Sequence, residues 1–262
     1  MAEHVLYVYA ITRDAVTPEA EAVDMSRHFD AVEAAGVAAV FTRVSREQFS
    51  QDVIDARSKD LEWLGAIGYR HQDVVSDLMK RTAIVPLRAF TLFSSDEALR
   101  TYLHEHAELL SGMLERLDQR QEWTLRVEFE PQRWSESLTA RVEPLRELQR
   151  QIEEASAGRA FLLRKKLEDE KKRASREAEQ QVVAEIERAV LEALACETLA
   201  ESRERRDGAF PQVNVLINRD EEARLQELHE SMLQRYEPEG IALALSGPWP
   251  PYSFAAIAAE GE

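Results

Sequence analysis

The chain has 262 residues, 44% of them hydrophobic and 31% charged, and 49 acidic against 33 basic side chains leave a formal net charge of -16. That balance describes a soluble globular protein with a highly charged surface and length enough for two domains, and it excludes a disordered chain. It also argues against nucleic acid and membranes as partners, because both polyanions are held by concentrated Lys and Arg. A single cysteine, Cys196, excludes an intrachain disulfide framework and thiolate zinc sites. With no signal-type leader and no apolar run of about 18 residues, the sequence reads as a cytoplasmic protein.

Residues 4–11 form a Val- and Tyr-rich apolar run bounded by polar residues, which predicts a central strand. Residues 36–44 predict a second strand, with 29–33 pairing before it. Ser45, followed three positions on by Gln48, has the form of a capping box for a helix carrying Phe49, Val53 and Ile54. A further helix from Asp60 sets Leu61, Leu64, Ile67, Val74, Val75 and Leu78 along its length. Residues 82–93 are apolar but interrupted by Pro86 and Arg88, so they predict an edge strand or a strand entering a crossing loop. Ser95 caps a helix predicted to reach Gln119, with Leu99, Leu103, Leu110, Leu114 and Leu117 at helical spacing. Strands and helices mix here without regular βαβ repetition, which favours helices on one face of a sheet.

In the second half, Trp123, Leu125, Val127 and Phe129 alternate with polar residues, the clearest period-two pattern in the chain. Residues 141–154 and 159–206 are helical in pattern. Along the latter, Leu163, Leu167, Ala174, Ala178, Val182, Ile186, Val190 and Leu194 form an apolar stripe. Unbroken, that helix would be about 70 Å long, too long for a compact half-domain, so it bends or projects. From Arg164 to Glu179, twelve of sixteen residues are charged, the pattern of a solvated protruding face or of a coiled-coil-like partner surface. Residues 211–217 predict a strand, 220–236 a helix and 240–245 a last strand, a β-α-β-α-β string that a ferredoxin-like fold or a variant accommodates. The expected fold class is therefore α+β. It comprises two two-layer α/β sandwich domains, residues 1–121 and 122–246, with a charged helical protrusion at 159–206 and a C-terminal arm at 247–262.

Chemistry-bearing motifs are absent. His104 and His106, two apart on a helix, point away from each other and cannot share a metal. His71 with Asp73 nearby reads as a surface pair, and Cys196, in an Ala- and Leu-rich stretch, as a buried structural thiol. There is no G-x-G-x-x-G, Walker-type loop, G-x-S-x-G or H-E-x-x-H. No catalytic residue, cofactor site or metal site is predicted. Arg88, inside an apolar run, is the most unusual charge. If buried it needs a carboxylate or carbonyls, which makes it either a structural clamp between elements or a partner contact.

The segment Gly247-Pro248-Trp249-Pro250-Pro251-Tyr252-Ser253-Phe254 packs three prolines and three aromatics into eight residues. Proline fixes φ and removes a donor, so the segment is predicted to leave the sheet after Leu245 as a stiff arm. Trp249, Tyr252 and Phe254 then cover the chain's own core or present themselves to a partner, with Pro250 and Pro251 stiffening the arm.

This stretch resembles the C-terminal signature of gas vesicle accessory proteins of the GvpF/GvpL type. Leu6-Tyr7-Val8-Tyr9-Ala10-Ile11 is similar to that family's opening strand, and residues 84–93 to its central "PLRFGT-F" motif. Ala89-Phe90 stand where the commoner pattern has Phe-Gly, which leaves the backbone role of that glycine open. Gly158-Arg159-Ala160-Phe161-Leu162-Leu163 matches a further, less specific stretch. The resemblance implies a non-enzymatic component of gas vesicle assembly. Such a protein would bind the small hydrophobic shell subunit through the N-terminal domain's sheet face or edge, and other accessory proteins through the helical protrusion. The alternative is a general cytosolic scaffold that binds partner helices through the 159–206 stripe.

Overall fold

The computed structural model describes residues 4–201 and 210–255. The chain folds into two compact units, residues 1–122 with 248–262, and residues 123–247.

The first unit is built from β1 (His4–Thr12), β2 (Asp30–Ala34), β3 (Val37–Ser45), α1 (Arg46–Phe49), α2 (Gln51–Ala56), α3 (Leu61–Arg81), β4 (Ile84–Pro86), β5 (Leu92–Phe93), α4 (Asp96–Glu105) and α5 (Ala107–Leu117). The sheet order is β2-β3-β1-β4, with β5 also pairing with β1. Every residue of β1 after His4 is buried, as befits a strand with a neighbour on each side and helices on each face. Ala35 and Gly36 both take positive φ, 51° and 81°, and form the two-residue turn that joins β2 to β3 with a twist matching the strands.

Side chains alternate across β1, and the two faces meet different helices. Tyr7 and Tyr9 turn toward α1 and α3, with Tyr7 5.9 Å from the Phe49 ring and Tyr9 5.6 Å from that of His71. Leu6, in register with both Arg43 and Phe93, faces the other way. There Arg43 binds both oxygens of Asp96 at the start of α4, and Phe93 meets the Tyr102 ring at 5.3 Å. Helices therefore cover both faces of this sheet, a layer more than the sequence pattern suggests. Leu99, Leu103, Leu110, Leu114 and Leu117 of α4 and α5 are buried as their spacing requires, each worth roughly 1.5–3 kcal/mol. Two expected continuous helices are broken: the one after Ser45 restarts at Ser50, and the one after Ser95 restarts at His106.

The second unit contains the rest of β6 (Arg120–Phe129), then α6 (Pro131–Arg141), α7 (Glu143–Glu154), α8 (Ala157–Ala193), β7 (Glu197–Glu201), β8 (Gln212–Asn218), α9 (Glu222–Tyr236) and, up to Gly247, β9 (Ile241–Trp249). Its sheet order is β7-β8-β6-β9. Numbered within the sheet, that is second, third, first, fourth, the same order as in the first unit. The element string β-α-β-β-α-β with this order is ferredoxin-like. Strand β7 was absent from the sequence reading because the helical stripe runs on through Leu194. Helix α8 in fact ends at Ala193, and residues 202–206 of the expected helix lie outside the described residues. Helix α6 was likewise missed, although Pro131 at its first position and buried Trp134 and Leu138 are its marks. Strand β9 runs on through Pro248 to Trp249 rather than ending at Leu245. It lies at the sheet edge, where a missing N–H is tolerated.

The stripe from Leu163 to Leu194 lies wholly in or against the second unit's core, together with Leu145, Leu148 and Ile152 of α7 and Val213, Val215 and Ile217 of β8. It is occupied within the unit and not open to a partner helix.

Gly240, at φ 77°, closes the turn before β9, and a Cβ there would fall 2.5 Å from Arg133 Cβ and 2.8 Å from the Trp134 amide nitrogen. In the interior of α3 a Cβ on Gly68 would meet nothing within 4 Å. Gly240→Ala is expected to lower stability by at least about 2 kcal/mol, whereas Gly68→Ala raises it by about 0.5–1 kcal/mol. Urea unfolding of both variants checks this, and equal effects of the two would refute it.

Candidate interaction surfaces

Burial of β1 carries two phenols into the first unit's core, and each is satisfied. The Phe90 amide donates to Tyr7 Oη at 3.0 Å, and Tyr7 Oη lies 3.1 Å from His71 Nδ1. His71 Nε2 lies 3.0 Å from the Leu87 carbonyl, which can only accept. The consistent assignment is a neutral imidazole with its proton on Nε2, Tyr7 donating to Nδ1. The Val23 amide donates to Tyr9 Oη at 3.0 Å, tying down the 13–29 connection. Burial raises both phenol pKa values and pushes that of His71 down to about 4. His71 is thus a core group and not the surface partner of Asp73. Its position in step with Ile67, Val74, Val75 and Leu78 on α3 was the sequence signal for this.

The network fixes the turn from Pro86 to Thr91. The Leu87 amide donates to the Tyr9 carbonyl at 2.9 Å, and Thr91 donates to the Arg88 carbonyl through both its amide (3.2 Å) and Oγ1 (2.7 Å). Phe90 takes φ 67°, a left-handed conformation that costs a non-glycine residue about 1 kcal/mol or more. Its ring packs 5.4 Å from that of Trp63, which offsets the strain. The turn thus keeps the backbone shape a glycine would give. Arg88 stands at its apex, exposed and not buried, with no side-chain hydrogen bond or ion pair among the described residues.

The C-terminal segment packs within the first unit. Pro250 and Pro251 are buried, Tyr252 joins the core of Tyr7 and Tyr9, and Phe254 is buried. Ser253 donates to Glu122 through its amide (2.9 Å) and Oγ (2.6 Å), and Arg116 reaches the Phe254 carbonyl at 3.4 Å. Trp249, 42% exposed, is the most open of these aromatics. Residues 256–262 of the expected arm lie outside the described residues.

Two pairs of highly exposed apolar side chains each stand on one helix. On the outer face of α3, Leu61 (81% exposed) and Tyr69 (76%) stand two helical turns apart with Gly65 between them. A groove of about 550 Å³ runs alongside, lined by Glu19, Glu21, Arg27, Ala66, Tyr69 and Arg70. The second pair stands on the first turns of α8, where Phe161 and Leu162 are 68% and 67% exposed. For chemistry the structure offers little: among the described residues no three His, Cys, Asp or Glu side chains are grouped to hold a metal, and no helix is long and apolar enough to cross a membrane. Cys196 is half-buried, its sulfur 3.8 Å from the Val190 carbonyl.

Residues 5–256 match the family described as gas vesicle synthesis protein GvpL/GvpF. The chain is 34% identical to gas vesicle protein L of Streptomyces sp. (strain CB03234), over 97% of this chain and 94% of that protein. It is 27% identical to gas vesicle protein L of Haloferax mediterranei, over 71% and 60% of the two chains. The fold matches the crystal structure of gas vesicle protein GvpF from Anabaena sp. PCC7120, with a TM-score of 0.71 at 14% identity and 99% of both chains covered. GvpF from Microcystis aeruginosa matches with a TM-score of 0.67 at 12% identity, over 98% of this chain and 100% of that one.

The buried imidazole makes stability depend on pH. Its folded pKa of about 4 lies below the ordinary 6.5, so between these values the unfolded chain takes up the proton first and stability falls as pH falls. The loss at the lower end of this window is on the order of 3 kcal/mol. Chemical unfolding of wild type and His71→Gln at several pH values should show the slope in the former and its loss in the latter. Parallel profiles would rule out His71 as the titrating group.

Proposed function

The chain belongs to the gas vesicle synthesis protein GvpL/GvpF family, and from that premise we propose that it is a non-enzymatic, cytoplasmic accessory protein that binds the small hydrophobic shell subunit and assists vesicle nucleation and assembly. A subunit destined to form a shell with an apolar gas-facing side exposes aggregation-prone surface before it assembles. A highly charged soluble partner that covers this surface keeps it dispersed, and a net charge of -16 suits that task.

The observation that carries the reading is the outer face of α3. Both faces of the first unit's sheet are filled by its own helices, so the contact is placed on this helix rather than on a sheet face. Leu61 and Tyr69 supply apolar contact, Gly65 between them lets a partner backbone approach, and Glu62, Arg70 and Asp73 form a polar rim. The arm, whose Tyr252 and Phe254 are engaged within the unit, serves as structure under this reading, with Trp249 and Arg88 left as outlying contacts. A general scaffold that takes partner helices along the α8 stripe is disfavoured, because that stripe is core.

Co-purification with the shell subunit of the same genome tests this. The full chain is expected to retain the subunit, and Leu61→Glu/Tyr69→Glu, with unchanged circular dichroism, to weaken retention about tenfold or more. If the full chain retains nothing, the shell contact is wrong. Full retention by the double variant would move it off α3.

A further inference from the structure

Helices α7 and α8 form an antiparallel hairpin joined by Ala155 and Ser156. The Trp134 indole donates to Ser175 Oγ at 2.9 Å, fixing α8 against α6. From Ser175 the first half of α8 continues for about 27 Å to its start at Ala157. Ala160, Leu163 and Leu167 pack inward along this length. At about 100° per residue, Phe161, Leu162 and Lys165 fall on the opposite, outer side of the helix. Arg159, Arg164 and Lys166 flank them, and all six of these side chains are exposed.

Three features characterise this end of the hairpin. Arg159, Arg164, Lys165 and Lys166 have no hydrogen-bond or ion-pair partner among the described residues, in a chain of net charge -16. The acidic residues that precede them are engaged elsewhere: Glu154 pairs with Arg150, and Glu153 accepts from Gln149. The first turn of α8 holds Arg159 and no acidic residue, so positive charge sits where the helix dipole disfavours it, and the next carboxylates along the helix, Glu168 and Asp169, stand a turn beyond Arg164 and Lys165 without an ion pair to them. A local rule broken without intramolecular compensation marks a place shaped by something outside the fold.

We propose that the tip of the α7–α8 hairpin docks an acidic, apolar-faced segment of another protein, with Phe161 and Leu162 as anchors and Arg159, Arg164, Lys165 and Lys166 as the surrounding charges. Carboxylates on the partner neutralise the four cations and complement the helix dipole, while the two anchors enter an apolar socket. Such a small centre of large side chains in a charged rim is how protein interfaces concentrate their binding energy. A lipid surface is a poorer occupant. The apolar stripe of α8 is turned into the core, which leaves two side chains to insert, and the rest of this acidic chain is repelled by anionic lipid.

The choice of probes rests on the vesicle-assembly reading; the site does not. The other gas vesicle proteins of the same genome, each purified singly, are titrated against the full chain, Phe161→Ser/Leu162→Ser and Arg159→Glu/Lys165→Glu. Shell-subunit retention and unfolding curves are measured for all three proteins. At least one probe should bind wild type through an acidic segment, about tenfold more weakly to either variant, and more weakly as salt rises from ~0.1 to ~0.5 M. Shell-subunit retention should not change and stability should not fall, Arg159→Glu even adding to it through the helix dipole, so a failed shell contact and a failed tip contact are distinguishable. The proposal is overturned if no probe distinguishes wild type from the variants. It is also overturned if the variants lose binding only to phosphatidylserine vesicles, or lose only self-association by ultracentrifugation.

Discussion

Burying β1 on both faces forces two tyrosine hydroxyls into the first unit's core, and an unpaired buried hydroxyl costs about 1–3 kcal/mol. The surrounding architecture satisfies them. Tyr9 takes the Val23 amide, which holds the helix-free connection from β1 to β2 against the sheet. Tyr7 takes the Phe90 amide and faces His71, which reaches the Leu87 carbonyl. One strand thus anchors α3, the Pro86–Thr91 turn and a long loop through three polar contacts inside an otherwise apolar layer. Such a network is specific because partial satisfaction is worse than none.

Residues from near both ends of the described chain meet in that same core. Tyr252 packs with residues of β1, and Glu122, the last residue of the first stretch, is held by Ser253. The first unit is complete once the chain has passed through the whole second unit and returned. Contacts of this sequence separation close late, because loop entropy must be overcome before they form. The second unit, continuous in sequence, has no such requirement. Both sheets nonetheless share one strand order, and they differ in what fills the first crossover: a loop in one, three helices in the other.

Charge distributes the surface roles. The acidic majority keeps the chain soluble, and most arginines outside the hairpin tip are paired, as Arg43 is with Asp30 and Asp96 and Arg133 with Glu130 and Glu237. Exposed pairs of this kind contribute little stability, roughly 0–1 kcal/mol each, but they remove cations from the pool available to partners. What remains unpaired gains meaning from that background. The outer face of α3 and the tip of the hairpin differ in kind, one apolar around a glycine and the other apolar beside four cations without an ion pair.

Much of the fold was legible because hydrophobic period reports local structure directly. The tyrosine-rich opening strand, the leucine helices after Ser95, the alternating Trp123–Phe129 strand, the caps at Ser45 and Ser95 and the helix start at Asp60 follow from spacing and side-chain chemistry. The family resemblance was legible too, because it rests on residues with fixed backbone demands, such as the prolines around Trp249. Tertiary structure decided the rest. Strand β7 exists because β8 offers it a pairing edge, and local propensity could not separate it from the helix before it. Phe90 takes a glycine's conformation because Tyr7 holds its amide. Whether His71, Arg88, Leu61 and Phe161 are buried or exposed depends on which neighbour reaches them, and a neighbour distant in sequence leaves no periodic trace in the residue's own surroundings.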